Sequence, residues 1–307
     1  MNRAMDVLNE FPVRKSRKQK ENFRQSVQTY GMQRGYDVAV EKGWLGSRNV
    51  VFGNPNTAKY VVTAHYDTCA QLPFPNLCTP TNFWTFLGWQ LVLVVLLCIP
   101  MIVMGILLGT LLHLADISVV MYLVLLLEVL LVTIGPANHH NANDNTSGVV
   151  TVLSLLEDLP QDLRNDVCFV LFDLEEAGLW GSMSYAKAHK KQVQNQLILN
   201  ADCVGDGKTL LFIPTKKLKK QTVRMLQLET CLQNTDTMEL QLRKKGFAIY
   251  PSDQANFPYA LGIAAVRKAR NGLLYLDKIH TRHDKILDEN NIAVLRETLI
   301  RIIREHA

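Results

Sequence analysis

The stretch that most limits how this chain can fold is LVLVVLLCIPMIVMGILLGTLL, residues 91–112, in which Thr110 is the only polar side chain. As a helix rising about 1.5 Å per residue it reaches across a hydrocarbon layer of ~30 Å. A short link, His113–Asp116, leads into a second apolar run, Ile117–Ile134, which carries Glu128. Between Lys59 and Arg164 there is no Lys or Arg. The alternative is a buried hairpin in a soluble core, but core helices seldom stay apolar on every face for so long. We therefore expect residues 84–135 to insert in a membrane as a helical hairpin, with Trp84, Trp89 and Tyr122 as interface anchors. Pro100 should kink the first helix. Gly105 and Gly109 form a GxxxG that lets the second helix approach closely. Glu128 at mid-depth calls for protonation or a partner, either on the other helix or on a second protomer, so the hairpin also offers a route to a homo-oligomer.

The remainder, residues 1–83 and 136–307, reads as a single domain. Residues 16–34 have the spacing of an amphipathic helix, with Phe23, Val27, Tyr30 and Met32 among polar neighbours. Strand-like runs follow at Tyr36–Glu41 and Asn49–Gly53, and KYVVTAHYDT supplies an apolar strand ending on His65 and Asp67. After the hydrophobic block comes a helix from Ser147 to Leu159, with Ser147 as its N-cap. Apolar strands Asp166–Glu176, Gln196–Asp202 and Lys208–Pro214, a helix around 217–233, a strand near Gly262–Val266 and a final helix Asn291–His306 complete the pattern. Continuous apolar strands alternating with helices predict an α/β fold, a mainly parallel or mixed sheet flanked by helices. Ligands collect at the carboxyl ends of strands in such sheets. A hairpin of two spans fits this fold because it returns the chain to its starting side.

The net charge of +5 owes much to RKSRKQK, Arg14–Lys20. No aromatic residues interleave with that cluster, so we read it as a solvated helix start and expect no nucleic-acid partner. MNRAMDVLNEF has no continuous apolar core. Together with the basic segment, this favours a multi-pass protein of the cell membrane with the domain of residues 1–83 and 136–307 in the cytoplasm. Cys69, Cys78, Cys98, Cys168, Cys203 and Cys231 form no CxxC pair. Reduced thiols are the default, with a Cys69–Cys78 bridge as the alternative.

Five separated stretches offer metal-type ligands: His65-x-Asp67, Asp144, Glu175–Glu176, Asp202, and His280 in KIHTRHD. Any one of them is weak; their joint occurrence, mostly at strand ends, is not. Imidazole and carboxylate donors without thiolates suit zinc or another borderline divalent ion. Asp67 is spaced to hold the second nitrogen of His65. Glu175 and Glu176 are adjacent, so one can bind metal while the other takes a proton from water. His139 and His140 precede the polar loop and read as loop residues, and Cys203 as a packing residue.

In this order TAHYDT, NDNTSGV, DLEEAGLWGS, NADCVG and IHTRHD resemble the co-catalytic zinc aminopeptidases, the family-twenty-eight metallopeptidases. The resemblance spans Asn49 to the C-terminus, without the hydrophobic hairpin. It implies two zinc ions bridged by Asp144, one completed by Glu176 and His280 and the other by His65 and Asp202. It further implies Glu175 as general base, Asp67 as the residue orienting His65, and peptide N-termini as substrate. His283 competes with His280 for the ligand role, and His280 is favoured because Thr281 follows it in the HTxxD pattern. Gln254 in SDQANF departs from the family, where a histidine often follows the aspartate, which bears on the substrate pocket. Two other readings share the scaffold: glutaminyl cyclisation with one zinc, and a non-catalytic membrane module.

Overall fold

The computed structural model describes residues 1, 3–114 and 116–305. Ala115 in the expected His113–Asp116 link and His306 at the end of the expected last helix lie outside the described residues. The chain begins with α1 (Asp6–Glu10) and α2 (Arg17–Gln33), followed by β1 (Val38–Lys42), β2 (Arg48–Phe52) and β3 (Tyr60–His65). The two apolar runs form α3 (Phe83–Leu111) and α4 (Ser118–Ile134). Then come α5 (Gly148–Asp158), β4 (Val167–Phe172), α6 (Trp180–Ala188), β5 (Leu197–Ala201) and β6 (Thr209–Pro214). The last elements are α7 (Lys216–Lys219), α8 (Thr222–Cys231), β7 (Glu239–Leu242), β8 (Ala260–Lys268), β9 (Leu274–Tyr275) and α9 (Glu289–Glu305).

The strands join one mixed sheet in the order β1-β2-β4-β3-β5-β8-β6-β7, with β9 on β8. Its centre, β4-β3-β5-β8, is parallel, while β2 and β6 run antiparallel to it. β3, β4, β5 and β6 are buried along their whole length, as their unbroken apolar runs require. Alternate side chains serve two cores. Val62, Ala64, Phe169, Leu171 and Leu199 face α2, α5, α8 and α9, and Val61, Val170, Phe172 and Ile198 face Tyr185 of α6 and Phe257. A large apolar side chain buried this way contributes roughly 1.5–3 kcal/mol.

Local details depart from the sequence reading in instructive ways. Ser16 caps α2 in a full capping box with Gln19. Ser147 does not cap α5: its hydroxyl donates to the Asn143 carbonyl and accepts from the Val204 amide, and Asn145 Oδ1 accepts from the Gly148 amide instead. The expected helix over 217–233 is broken at Lys220–Gln221 into α7 and α8. Arg14, the first residue of the basic cluster, is fully buried rather than solvated. All six thiols are free, so the Cys69–Cys78 alternative is not formed.

α3 is one helix of 29 residues that runs on through Pro100, with a mean hydropathy of 3.2 and only 6% burial in its most apolar stretch. Length and composition alone make it able to cross a membrane; α4, with 17 residues, is shorter. The two helices pack on each other where GxxxG directs. A Cβ on Gly105 would collide with Met121, and one on Gly109 with Ile117. Trp84 and Tyr122 are exposed, and both Glu128 oxygens are shielded without a hydrogen-bond partner.

Candidate metal centre

The parallel register brings three strand ends to one edge. His65 lies opposite Phe172, so the residues after β4 emerge beside it, and Thr63 opposite Asn200 aligns Asp202 with the same edge. His65 Nε2 stands 3.3 Å from Asp144 Oδ1, 3.6 Å from Asp202 Oδ1 and 4.0 Å from Glu175 Oε2. The other Asp144 oxygen is 3.0 Å from His280 Nε2, which is 3.3 Å from Glu176 Oε2. Asp144 therefore sits between two groups, His65–Asp202 and Glu176–His280. Donor atoms of His65, Asp144 and Asp202 all lie within 4.8 Å of one another, as do those of Cys69, Glu176 and His280.

The supports around these groups are polar and buried. Asp67 accepts the Glu175 and Glu176 amides at 3.1 and 3.2 Å, and its own carbonyl is 3.2 Å from His65 Nδ1. One aspartate thus fixes the histidine ring and both glutamates. Asp284 does the same for the Asp144 loop, accepting the Asn143 and Asp144 amides at 2.8 and 2.9 Å. Asn145 Nδ2 donates to the Ala201 carbonyl, tying that loop to the end of β5. Arg14 lies behind the site, donating to the carbonyl of Phe11 and the Thr146 hydroxyl. Burial lowers it to about 10, with Asp67 and Asp144 opposing.

Charge is heavily unbalanced here. Asp67, Asp144, Glu175, Glu176, Asp202 and Asp253 crowd around His65 and His280; the six carboxylates and His65 are buried or nearly so, and His280 is part-exposed. Burial pushes Glu175 well above the usual carboxylate range, helped by Glu176, Asp253 and Asp202 against the pull of His65. Burial and Asp144 raise Glu176 to about 8, against His280. Burial disfavours the charged form of His280, yet Glu176 and Asp144 overcome it and hold the ring near 10. Glu176 Oε1 is buried without a hydrogen-bond partner. A cluster of carboxylates short of positive charge, with an orphaned oxygen aimed into it, fits a divalent cation, and the histidine–carboxylate donor set fits zinc.

A cavity of about 270 Å³ opens on this edge, lined by His65, Asp144, Glu175, Asp202 and His280. Its remaining wall is largely apolar or aromatic: Leu77, Cys78, Tyr250, Pro251 and Ile279, and then Phe86 and Gln90 from the first turns of α3. His283 is exposed beside Arg282 and away from the carboxylates, whereas His280 faces them. His139 is exposed, and His140 lines a separate cavity with Asn9 and Lys285. Gln254 is a strut: its Nε2 donates to the Tyr250 carbonyl and its Oε1 accepts from Asn200. Cys203 donates its thiol to Asp202 Oδ1 at 3.1 Å.

Sequence reasoning passed over four residues. Asp284 stood inside the IHTRHD motif, and its proximity to His280 was the available signal. Arg14 was hidden in a charge run. Asp253, buried and pushed to about 7, was overshadowed by its neighbour Gln254. Cys69 gave no signal beyond following Asp67 by two positions, and its thiol is buried between Asn138 and Asn141.

A model of peptidase family M28 matches residues 130–302. No curated protein sequence matches the chain. Solved structures share its fold. The Legionella pneumophila aminopeptidase LapA is 13% identical with a TM-score of 0.58, the match covering 98% of this chain and 67% of LapA. A Porphyromonas gingivalis glutaminyl cyclase is 16% identical at 0.58, over 99% and 96% of the two chains. A zinc-dependent exopeptidase from Parabacteroides distasonis is 14% identical at 0.57, over 98% and 96%.

Proposed function

The chain belongs to peptidase family M28, and on that premise we propose that it is a membrane-anchored, zinc-dependent aminopeptidase that removes N-terminal residues from peptides. The observation carrying this reading is the position of Asp144, with one oxygen 3.3 Å from His65 and the other 3.0 Å from His280. That arrangement supports a pair of ions, one held by His65, Asp144 and Asp202 and the other by Asp144, Glu176 and His280. Bound there, such ions supply charge that polarises a carbonyl and acidifies water.

The chain's own groups then divide the work. Glu175 reaches the cavity wall 4.0 Å from His65 and beside Glu176, a position that suits a base taking a proton from attacking water. The hydroxyl adds to the scissile carbonyl carbon, the C–N bond breaks, and the same carboxyl returns its proton to the leaving amine. Asp67 keeps His65 in one orientation throughout. The apolar wall of Leu77, Phe86 and Ile279 suits an N-terminal residue with an apolar side chain. Residues 84–135 serve as the membrane insert. α3 spans the bilayer and α4, packed on Gly105 and Gly109, brings the chain back.

Glutaminyl cyclisation is the second reading, favoured by the fold shared with the P. gingivalis glutaminyl cyclase. One experiment separates the two. Purified full-length protein is assayed with aminoacyl anilides and with a peptide bearing N-terminal glutamine, and its metal content is counted. We expect anilide hydrolysis that a chelator removes and zinc restores, with two metal ions per chain. Cyclisation without hydrolysis, with one ion per chain, would overturn the aminopeptidase reading.

A further inference from the structure

We propose that the domain docks on anionic phospholipid headgroups through cations that the fold gathers at the feet of α3 and α4. This inference rests on the membrane reading above. The sequence supplies no such cations locally, because no Lys or Arg lies between Lys59 and Arg164. Folding supplies them from remote segments. At the foot of α4, Lys15 donates from Nζ to the Thr133 carbonyl at 3.0 Å, beside the negative end of the helix dipole. From Lys15 a groove of about 530 Å³ runs between α2 and the β1–β2 turn, lined also by Arg17, Lys20, Arg24, Lys42 and Arg48.

Part of that charge is already used. Lys20 pairs with Asp173, and Glu21 takes Arg24 and Arg48. Arg17 and Lys42 are exposed, with no carboxylate at ion-pair distance among the described residues. At the foot of α3 a second cavity of about 450 Å³ places Arg243 and Lys268 against Thr81, Asn82 and Thr85. Lys268 is 3.4 Å from Glu239, whereas Arg243 has no ion-pair partner among the described residues and its Nε is shielded without a hydrogen bond.

The same groove carries an apolar element. Leu45, at the tip of the β1–β2 turn, is 72% exposed and held at φ +50, a left-handed conformation unusual outside glycine. Trp44 beside it is 41% exposed, with Lys187 Nζ 4.5 Å from its ring centroid. The groove that begins at Lys15 on the foot of α4 thus joins the uncommitted Arg17 and Lys42 to a displayed leucine, which matches the headgroup layer of a bilayer in both charge and polarity. A soluble anion would use one pocket and gain nothing from Leu45. Because anionic lipids give the cytoplasmic leaflet its negative surface, a domain that docks on them would sit on that side.

The test uses full-length protein in nanodiscs of phosphatidylcholine alone or mixed with phosphatidylglycerol. Hydrogen exchange should slow severalfold at residues 42–48 and 241–245 in the anionic discs, consistent with about fivefold in affinity per engaged cation. High salt should abolish the difference, as should the combined change Arg17→Gln, Lys42→Gln and Arg243→Gln. Equal exchange in both discs would overturn the docking. So would equal protection by inorganic phosphate in detergent, which would assign the groove to a soluble anion. Release of the protein from membranes by alkaline carbonate would instead sink the membrane reading itself.

Discussion

The metal-bearing edge of the sheet and the α3–α4 pair handle polar groups in opposite ways. At the edge, buried carboxylates are numerous and most have assigned partners: Asp67 holds two amides and Asp284 two more. In the helices polarity is nearly absent, large side chains such as Leu107, Leu111 and Leu123 face outward, and the one acidic side chain, Glu128, has no bonded partner. The apolar surface is exposed, whereas the polar one is buried and braced by backbone amides, with Glu176 Oε1 and both Asp253 oxygens left without a hydrogen-bond partner. The regions are nevertheless not separate, because Phe86 and Gln90 of α3 line the cavity of the metal edge.

The largest effect should come from the polar side of this comparison. Glu175→Gln keeps size and removes the proposed base, so kcat should fall by about 10²–10⁴. Metal content by elemental analysis should stay at the wild-type level. Loss of metal as well would make Glu175 a ligand and erase the division of labour between it and Glu176. Next in size is Asp284→Asn, which weakens the hold on the Asp144 loop. We expect about 10–100-fold weaker metal binding or activity, restored in part by excess zinc. A variant that is merely less stable would show a lower Tm that zinc does not correct.

How much of this was legible in the sequence follows the same divide. His65, Glu175, Glu176 and Asp202 could be placed on one edge because each follows an apolar strand of a parallel sheet, whereas Asp144 and His280, which lie in a loop and a turn, entered through the family resemblance. The apolar runs were equally plain. What stayed hidden depended on three-dimensional neighbours. Ser147 looked like a cap, but the turn before α5 hands that task to Asn145. Arg14 looked solvated, yet it is buried behind Asp67 and Asp144. The cavity wall joined Leu77 to Tyr250 and Phe86 to Ile279 across distances no periodicity records.

The seam between the regions gives the next prediction. Deleting residues 84–135 with a short linker should leave the metal ligands intact, since none lies in the insert. The cut removes Phe86 and Gln90, however, so the cavity loses a wall. Phe86→Ala isolates that loss: KM for a leucyl substrate should rise severalfold, about what ~1 kcal/mol of lost apolar contact allows, with kcat nearly unchanged. Glycyl and alanyl substrates, which do not reach the wall, should be less affected. Steady-state kinetics on the three substrates checks this. A uniform fall in kcat instead would mean that α3 shapes the metal edge and not only the pocket.

The smallest effect is expected from the apolar side. Glu128→Gln preserves shape, removes the option of charge, and lies in a helix that contributes no residue to the cavity lining. Turnover should therefore stay within about twofold of wild type, in contrast to the same chemical change at Glu175. Insertion, read by resistance to alkaline extraction, should also be unchanged, because an amide costs no more than a carboxyl group to bury in lipid. Gel filtration in detergent adds the discriminating measurement. If the shielded carboxyl of Glu128 bonds a second protomer, the variant should shift toward the monomer while turnover holds. A collapse of turnover would show that a group with no place at the metal edge governs its chemistry, and the contrast between the two regions would fail.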